Sequence, residues 1–133
     1  MVSSPTFAPP CRRDTPNVPQ EILVVDDHHE ITAMLADILA DEGYRIRVAH
    51  NGVEALCEVQ ICRPDLILMD IAMPVMRGDQ VIQCLRAQGF ADIPVILMTA
   101  DQQPERFDDI GARQIIRKPF DLIHLLAAVA RNL

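Results

Sequence analysis

Three short, uninterrupted apolar runs punctuate the chain: Ile22-Leu23-Val24-Val25, Leu66-Ile67-Leu68-Met69 and Val95-Ile96-Leu97-Met98. Runs this short, bounded by polar or turn-forming residues, suit strands buried on both faces better than helices, which need longer amphipathic stretches. Between the runs the period changes. Ile31, Leu35, Ile38 and Leu39 recur at helical spacing until Gly43 stops the helix. From Tyr44 to Ala49, Tyr44, Ile46 and Val48 alternate with Arg45 and Arg47, the pattern of an edge strand with one wetter face. Asn51 then predicts the cap of a helix running through Arg63. A loop punctuated by Pro74 and Gly78 leads into a helix through about Gln88. After a polar stretch from Asp101 to Asp109, a short strand around Ile115-Ile116 precedes Lys118-Pro119 and a terminal helix from Asp121.

Five strands thus alternate with up to five helices. Parallel neighbours need crossovers, so this alternation predicts an α/β fold: a doubly wound, five-stranded parallel sheet flanked by helices, flavodoxin-like in plan. Residues 1–20 hold five of the chain's 10 prolines and almost no periodic pattern, which predicts a flexible Pro-rich tail, with the domain spanning 21–133. The 133 residues, half of them apolar, suffice for one full core and leave no room for a second domain of ordinary size. Met1 favours a natural start.

Charge and composition narrow the function classes. A net charge of −7, with no local cluster of Lys and Arg, repels phosphate backbones, so nucleic-acid binding by this domain alone is disfavoured. No apolar run approaches the roughly 18 residues of a membrane span, and the N-terminus lacks the apolar stretch of a secretory signal. A cytoplasmic protein is expected. Cys11, Cys57, Cys62 and Cys84 form no C-x-x-C pair, and the last three fall within apolar patterns where cysteine acts as a small hydrophobe.

In an open doubly wound sheet, ligands bind beyond the carboxyl ends of the strands. There the first run is followed by Asp26-Asp27, the third strand by Asp70, the fourth by Thr99 and the fifth by Lys118-Pro119. Taken singly, an Asp-Asp pair caps a helix, a threonine caps and a lysine solvates. Their coincidence at one sheet edge is harder to obtain from capping alone. Converging carboxylates repel one another unless a cation sits among them, and oxygen-only ligands select a hard ion such as Mg²⁺. His28 and His29 follow the acidic pair, but adjacent side chains at a helix start diverge, so no role is assigned to them. Met69, Met73, Met76 and Met98 read as packing or loop contacts.

From Glu21 to Leu133 the chain resembles the receiver domains of two-component response regulators, the CheY-like family. The resemblance rests on ILVVDD, on the specific string Asp70-Ile71-Ala72-Met73-Pro74-Val75-Met76-Arg77-Gly78, on Thr99-Ala100 and on Lys118-Pro119-Phe120. It implies transfer of a phosphoryl group from a sensor histidine kinase or phosphotransfer protein onto Asp70. It implies Mg²⁺ held by Asp27 directly, by Asp26 largely through water, by Asp70 and by the backbone carbonyl of Ala72. Lys118 and Thr99 would contact phosphoryl oxygens, and Lys118-Pro119 would be cis. Signalling would follow through contacts with a downstream protein or output domain, and no enzymatic activity beyond self-phosphorylation and autodephosphorylation is expected.

Two rival readings remain at this point. An aspartyl-nucleophile phosphatase also uses an Asp at a parallel strand's end, but the second acid two residues on is here Ala72. A receiver-like binding module that never takes phosphate is disfavoured by the complete set of acids, hydroxyl and lysine. The chain also departs from the family pattern. Ile115 stands where an aromatic usually reports the switch, and Ala72 and Asp101 stand where water is usually screened, so rapid hydrolysis is expected. The Thr99–Lys118 interval is short and contains Gln103-Pro104, so the fourth helix, between the fourth and fifth strands, should be short or irregular, with remodelling carried by 101–111. In the terminal helix, Leu122, Leu125, Leu126, Val129 and Leu133 recur at core spacing, while Ile123, Ala127 and Ala130 form a second stripe that would suit a homodimer.

Overall fold

A computed structural model describes residues 19–100 and 111–133. Five strands, β1 (Glu21–Val25), β2 (Arg45–Ala49), β3 (Leu66–Asp70), β4 (Val95–Thr99) and β5 (Gln114–Arg117), form one parallel sheet in the order β2-β1-β3-β4-β5. Among the described residues there are four helices: α1 (His29–Asp41), α2 (Gly52–Ile61), α3 (Gly78–Ala87) and α4 (Leu122–Arg131). The expected helix between β4 and β5, with Asp101 and the proposed remodelling segment, lies outside the described residues except for Gly111. So does the expected tail, apart from Pro19 and Gln20.

Strand alternation divides the core into two layers. Leu23, Val25, Ile67, Met69, Val95 and Leu97 point to one face, where Ala55 and Val59 of α2 and Val81, Ile82 and Leu85 of α3 cover them. Ile22, Val24, Leu66, Leu68, Ile96 and Met98 point to the other, under Leu35 and Leu39 of α1 and Leu125, Ala128 and Val129 of α4. The central strands are buried throughout, which is why they read as continuous apolar runs.

Several local expectations need correction. Arg47, read as pointing to water, is only 17% exposed: its guanidinium pairs with Glu21 and Glu58, and it donates to the carbonyls of Glu58 and Cys62. An edge strand with a helix over one face buries even a charged residue when acids and carbonyls meet its fork. The Asn51 cap is present, its side chain accepting from the Glu54 N–H at 2.8 Å, but α2 stops at Ile61 rather than Arg63. Cys57 is exposed rather than packed. In α4, Leu122 lies outside the core and Ala128 inside it, while Ile123, Ala127 and Ala130 are exposed as their stripe requires.

Gly78 opens α3 against the end of β3. A Cβ there would lie 2.9 Å from the Asp70 carbonyl oxygen and from Ile71 Cα, both backbone atoms that cannot swing aside. The absent side chain lets α3 start where the Gly78 N–H reaches the Ile71 carbonyl at 2.9 Å. Gly78→Ala is therefore expected to destabilise the fold by about 1–3 kcal/mol, read as a lower urea midpoint at unchanged slope. A midpoint equal to wild type would show that the backbone yields.

Candidate functional site

The position of the site follows from the strand order. β1 and β3 are neighbours, yet the chain leaves β1 for α1 on one face and β3 for α3 on the other. Their connections diverge and open a crevice at the carboxyl edge, a topological switch point. Asp26 and Asp27 follow β1 and Asp70 ends β3, so the acids line that crevice.

One ligand atom from each of Asp26, Asp27, His28 and Asp70 lies within 4.8 Å of the others. Asp26 is wholly buried. Its Oδ1 accepts the His28 backbone N–H at 2.9 Å and lies 2.9 Å from the ring Nδ1 of the same residue. Its Oδ2 lies 3.3 Å from Lys118 Nζ, which is also 3.3 Å from Asp70 Oδ2. The lysine thus bridges the two strand ends. Asp70, 4% exposed, accepts the Ala72 N–H at 3.4 Å.

The two buried acids titrate in opposite directions. Burial pushes the Asp70 carboxyl up, Lys118 pulls it back and the Asp26 charge raises it again, leaving it above the usual carboxylate range. Burial also works against the Asp26 charge, but the hydrogen bonds from His28 and the Lys118 ammonium outweigh it and hold that carboxyl low. The cluster therefore carries one firmly ionised acid and one whose charge is poorly compensated. Asp27 Oδ1 is buried and has no hydrogen-bond partner among the described residues; His28 Nδ1 is 3.3 Å away without the alignment of a hydrogen bond. An orphaned carboxylate oxygen beside two further carboxylates is a fit for a hard divalent cation, with Asp27 as the group most in need of one.

Thr99 ends β4 and is buried at the same edge, and its carbonyl accepts the Lys118 N–H at 2.7 Å. Lys118-Pro119 is cis, as the resemblance implied. Ala72 is exposed in the loop after Asp70, and Ile115 is half-buried in β5 against the layer under α2 and α3. In the same loop Val75 is exposed at φ 70°, a left-handed conformation that costs a side-chain-bearing residue about 1–2 kcal/mol. Strain of this kind is commonest where a functional loop is held by its surroundings.

All the acids, the threonine and the lysine expected from the sequence reach this edge. The one that sequence reasoning missed is His28. The two histidines do diverge: His29 stacks on His50 with ring centroids 3.8 Å apart, while His28 turns back onto the acids. The available signal was the position of His28 as N-cap residue of α1, whose extended backbone, φ −92° and ψ 108°, folds the ring toward the preceding pair.

Comparisons with known proteins agree with this geometry. Residues 22–130 match the model of the response regulator receiver domain. The response regulator MprA of Mycobacterium avium is 41% identical over 109 residues, covering 80% of this chain and 47% of that protein, and the sequence from Mycobacterium ulcerans matches to the same extent. The chain thus spans about half the length of the curated relatives it matches. Among solved structures, the chemotaxis response regulator CheY4 of Vibrio cholerae superposes with a TM-score of 0.82 at 33% identity, over 87% of this chain and 100% of that one. The response regulator TrrA of Thermotoga maritima, in complex with Mg²⁺ and BeF, superposes with a TM-score of 0.78 at 33% identity, over 86% and 99% of the two chains. Neither the phosphatase nor the phosphate-independent module finds support in these matches. With its parallel sheet in the order β2-β1-β3-β4-β5 and its acids at the switch point, the chain belongs to the receiver domains of two-component response regulators.

Proposed function

We propose that Asp70 is the phosphoacceptor of a receiver domain spanning 21–133, and that it takes its phosphoryl group from a phosphohistidine on a sensor histidine kinase or phosphotransfer protein. The observation that carries this reading is the Lys118 ammonium held 3.3 Å from carboxylate oxygens of both Asp26 and Asp70. A cation poised there can neutralise the oxygens of an incoming phosphoryl group, so that an anion can approach an already acidic crevice.

In the step itself an Asp70 carboxylate oxygen bonds to phosphorus as the phosphorus–nitrogen bond to the donor imidazole breaks, and the imidazole leaves with that electron pair. The product is an acyl phosphate. Lys118 holds one phosphoryl oxygen, and the Thr99 hydroxyl donates to another. Asp27 would be the direct protein ligand for Mg²⁺, with Asp70, the Ala72 carbonyl and, through water, Asp26 completing the protein's share; bound there, the ion would supply charge neutralisation and orientation. TrrA's complex with Mg²⁺ and BeF supports the ion choice, and the orphaned Asp27 oxygen supports the ligand assignment.

The chemistry of this chain is then self-phosphorylation and autodephosphorylation. The output passes to a downstream protein or output domain, or to a second copy through the exposed stripe of α4. No described helix is long and apolar enough to cross a membrane. Cytoplasmic kinases make the cytoplasm the site of action in this reading.

The test is incubation with a small phosphodonor such as acetyl phosphate, with and without a chelator, followed by intact-mass analysis. One added phosphoryl group, lost with the chelator, is the expected result; a chelator-insensitive adduct would sink the reading. Calorimetric Mg²⁺ titration should show at least about tenfold weaker binding in Asp27→Asn and a smaller loss in Asp26→Asn, because the oxygens of Asp26 are already held by His28 and Lys118. The reverse order would reassign the direct ligand.

A further inference from the structure

Beyond the phosphoacceptor, the strongest unexplained feature of the crevice is the imidazole of His28. Its Nδ1 lies 2.9 Å from Asp26 Oδ1 and 3.3 Å from Asp27 Oδ1, in the position of a small cation shared by the acidic pair. The ring is 61% exposed and its side chain makes no cap bond to α1, so nothing in the helix holds it there except the acids. It is also the single nitrogen ligand in a set whose other members offer only oxygen.

We propose that His28 selects the metal at this site: it opposes Mg²⁺ and, through Nδ1, becomes a ligand for a borderline divalent cation such as Zn²⁺. This rests on the reading of the crevice as a divalent-cation site and goes further in naming which cations it favours. Two consequences follow from one geometry. Mg²⁺ prefers oxygen and keeps much of its water, so the ring must leave Asp26 and Asp27 before the hydrated ion can use them. Zn²⁺ accepts imidazole readily, and Asp27, Asp70 and His28 together make a mixed nitrogen and oxygen set of the kind it takes. The ring position that denies Mg²⁺ the two acids is the one that supplies Zn²⁺ with a ligand. When Nδ1 binds the ion, the neutral ring carries its proton on Nε2. Removing the ring should therefore change the two affinities in opposite directions, which loss of a purely structural contact would not do.

The experiment is calorimetric titration of the whole chain with Mg²⁺ and, separately, with Zn²⁺, for wild type, His28→Ala and Asp27→Asn, with thermal melts to confirm folding. His28→Ala removes no side-chain cap bond. It is expected to bind Mg²⁺ about two- to fivefold more tightly and Zn²⁺ at least about tenfold less tightly. Excess Mg²⁺ should displace the Zn²⁺, and Asp27→Asn should lose it. Zn²⁺ affinity that is equal in wild type and His28→Ala overturns the proposal, as does a loss of both cations together. Zn²⁺ that resists Mg²⁺ and survives Asp27→Asn is bound elsewhere, for instance at the free thiols Cys57 and Cys84, and also overturns it. Wild type that binds Mg²⁺ but responds to His28→Ala in neither titration defeats this inference alone, whereas wild type that binds neither cation defeats the reading beneath it.

Discussion

Asp70→Asn is expected to abolish phosphoryl acceptance, by at least about 100-fold, and to leave the protein more stable than the wild type. The first effect follows because a carboxamide is not a nucleophile toward phosphorus under these conditions. The second follows from the environment of the residue. Burial and the Asp26 charge raise the Asp70 carboxyl above its unfolded value despite Lys118, so its ionised form opposes folding. For a raised acid the folded state binds the proton more tightly. Stability is highest below the unfolded value of 3.8, falls as pH rises through the folded pKa, and the penalty is fully present at neutral pH. An asparagine carries no charge and can still accept the Ala72 N–H, so without Mg²⁺ it should gain about 0.5–2 kcal/mol at pH 7. Urea unfolding in chelator measures this, and the gain should vanish on acidification as the wild-type carboxyl takes up its proton. A phosphorylated Asp70→Asn product at wild-type yield would remove Asp70 from the chemistry; a less stable variant would show that its carboxylate is a structural partner of Lys118.

The second large effect belongs to Lys118→Met, which keeps most of the stem and deletes the ammonium. Asp26 is then left wholly buried with His28 as its remaining side-chain partner among the described residues, and taking away one partner of a buried charge costs several kcal/mol. Lys118 is itself partly exposed, so a loss of about 2 kcal/mol at pH 7 is the expected size. Because Asp26 has its carboxyl depressed, this stabilisation is present above the unfolded value of 3.8 and disappears as pH falls through the lower folded value. The gap between wild type and variant should therefore close in strong acid. Phosphoryl acceptance from a small donor should fall by about 100-fold, the usual cost of deleting one preorganised charge donor. Wild-type rates in Lys118→Met would mean that the metal alone neutralises the incoming group. A gap in stability that persists at acid pH would place the role of the lysine in packing of its stem.

The two variants are expected to move stability in opposite directions, although Lys118 touches both acids. That opposition reflects a crevice arranged for an incoming group rather than for rest: three carboxylates and one ammonium leave an excess of negative charge that the folded chain tolerates. Val75, exposed in a left-handed conformation in the loop after Asp70, adds a second local cost at the same edge.

The alternation of short apolar runs with helical periods was enough to establish the parallel sheet, because a strand covered on both faces must be apolar at every position, and only helices cover both faces of a parallel sheet. The residues directly after those runs located Asp26, Asp27, Asp70, Thr99 and Lys118 at one edge, since parallel strands share an end. Other features depended on contacts that no local pattern encodes. Lys118 reaches Asp26 across 92 positions of sequence, and Arg47 is drawn inward by Glu21 on the neighbouring strand and Glu58 on α2. Gly78 is required by the backbone of β3 rather than by any turn of its own. His28 turns onto the acids while its neighbour stacks on His50, a difference that goes with the extended backbone of His28 at the N-cap of α1. Periodicity reports which face of an element is buried, because burial repeats with the backbone; it carries no record of which charged side chains meet, because those meetings are made by elements distant in sequence once the sheet has closed their separation.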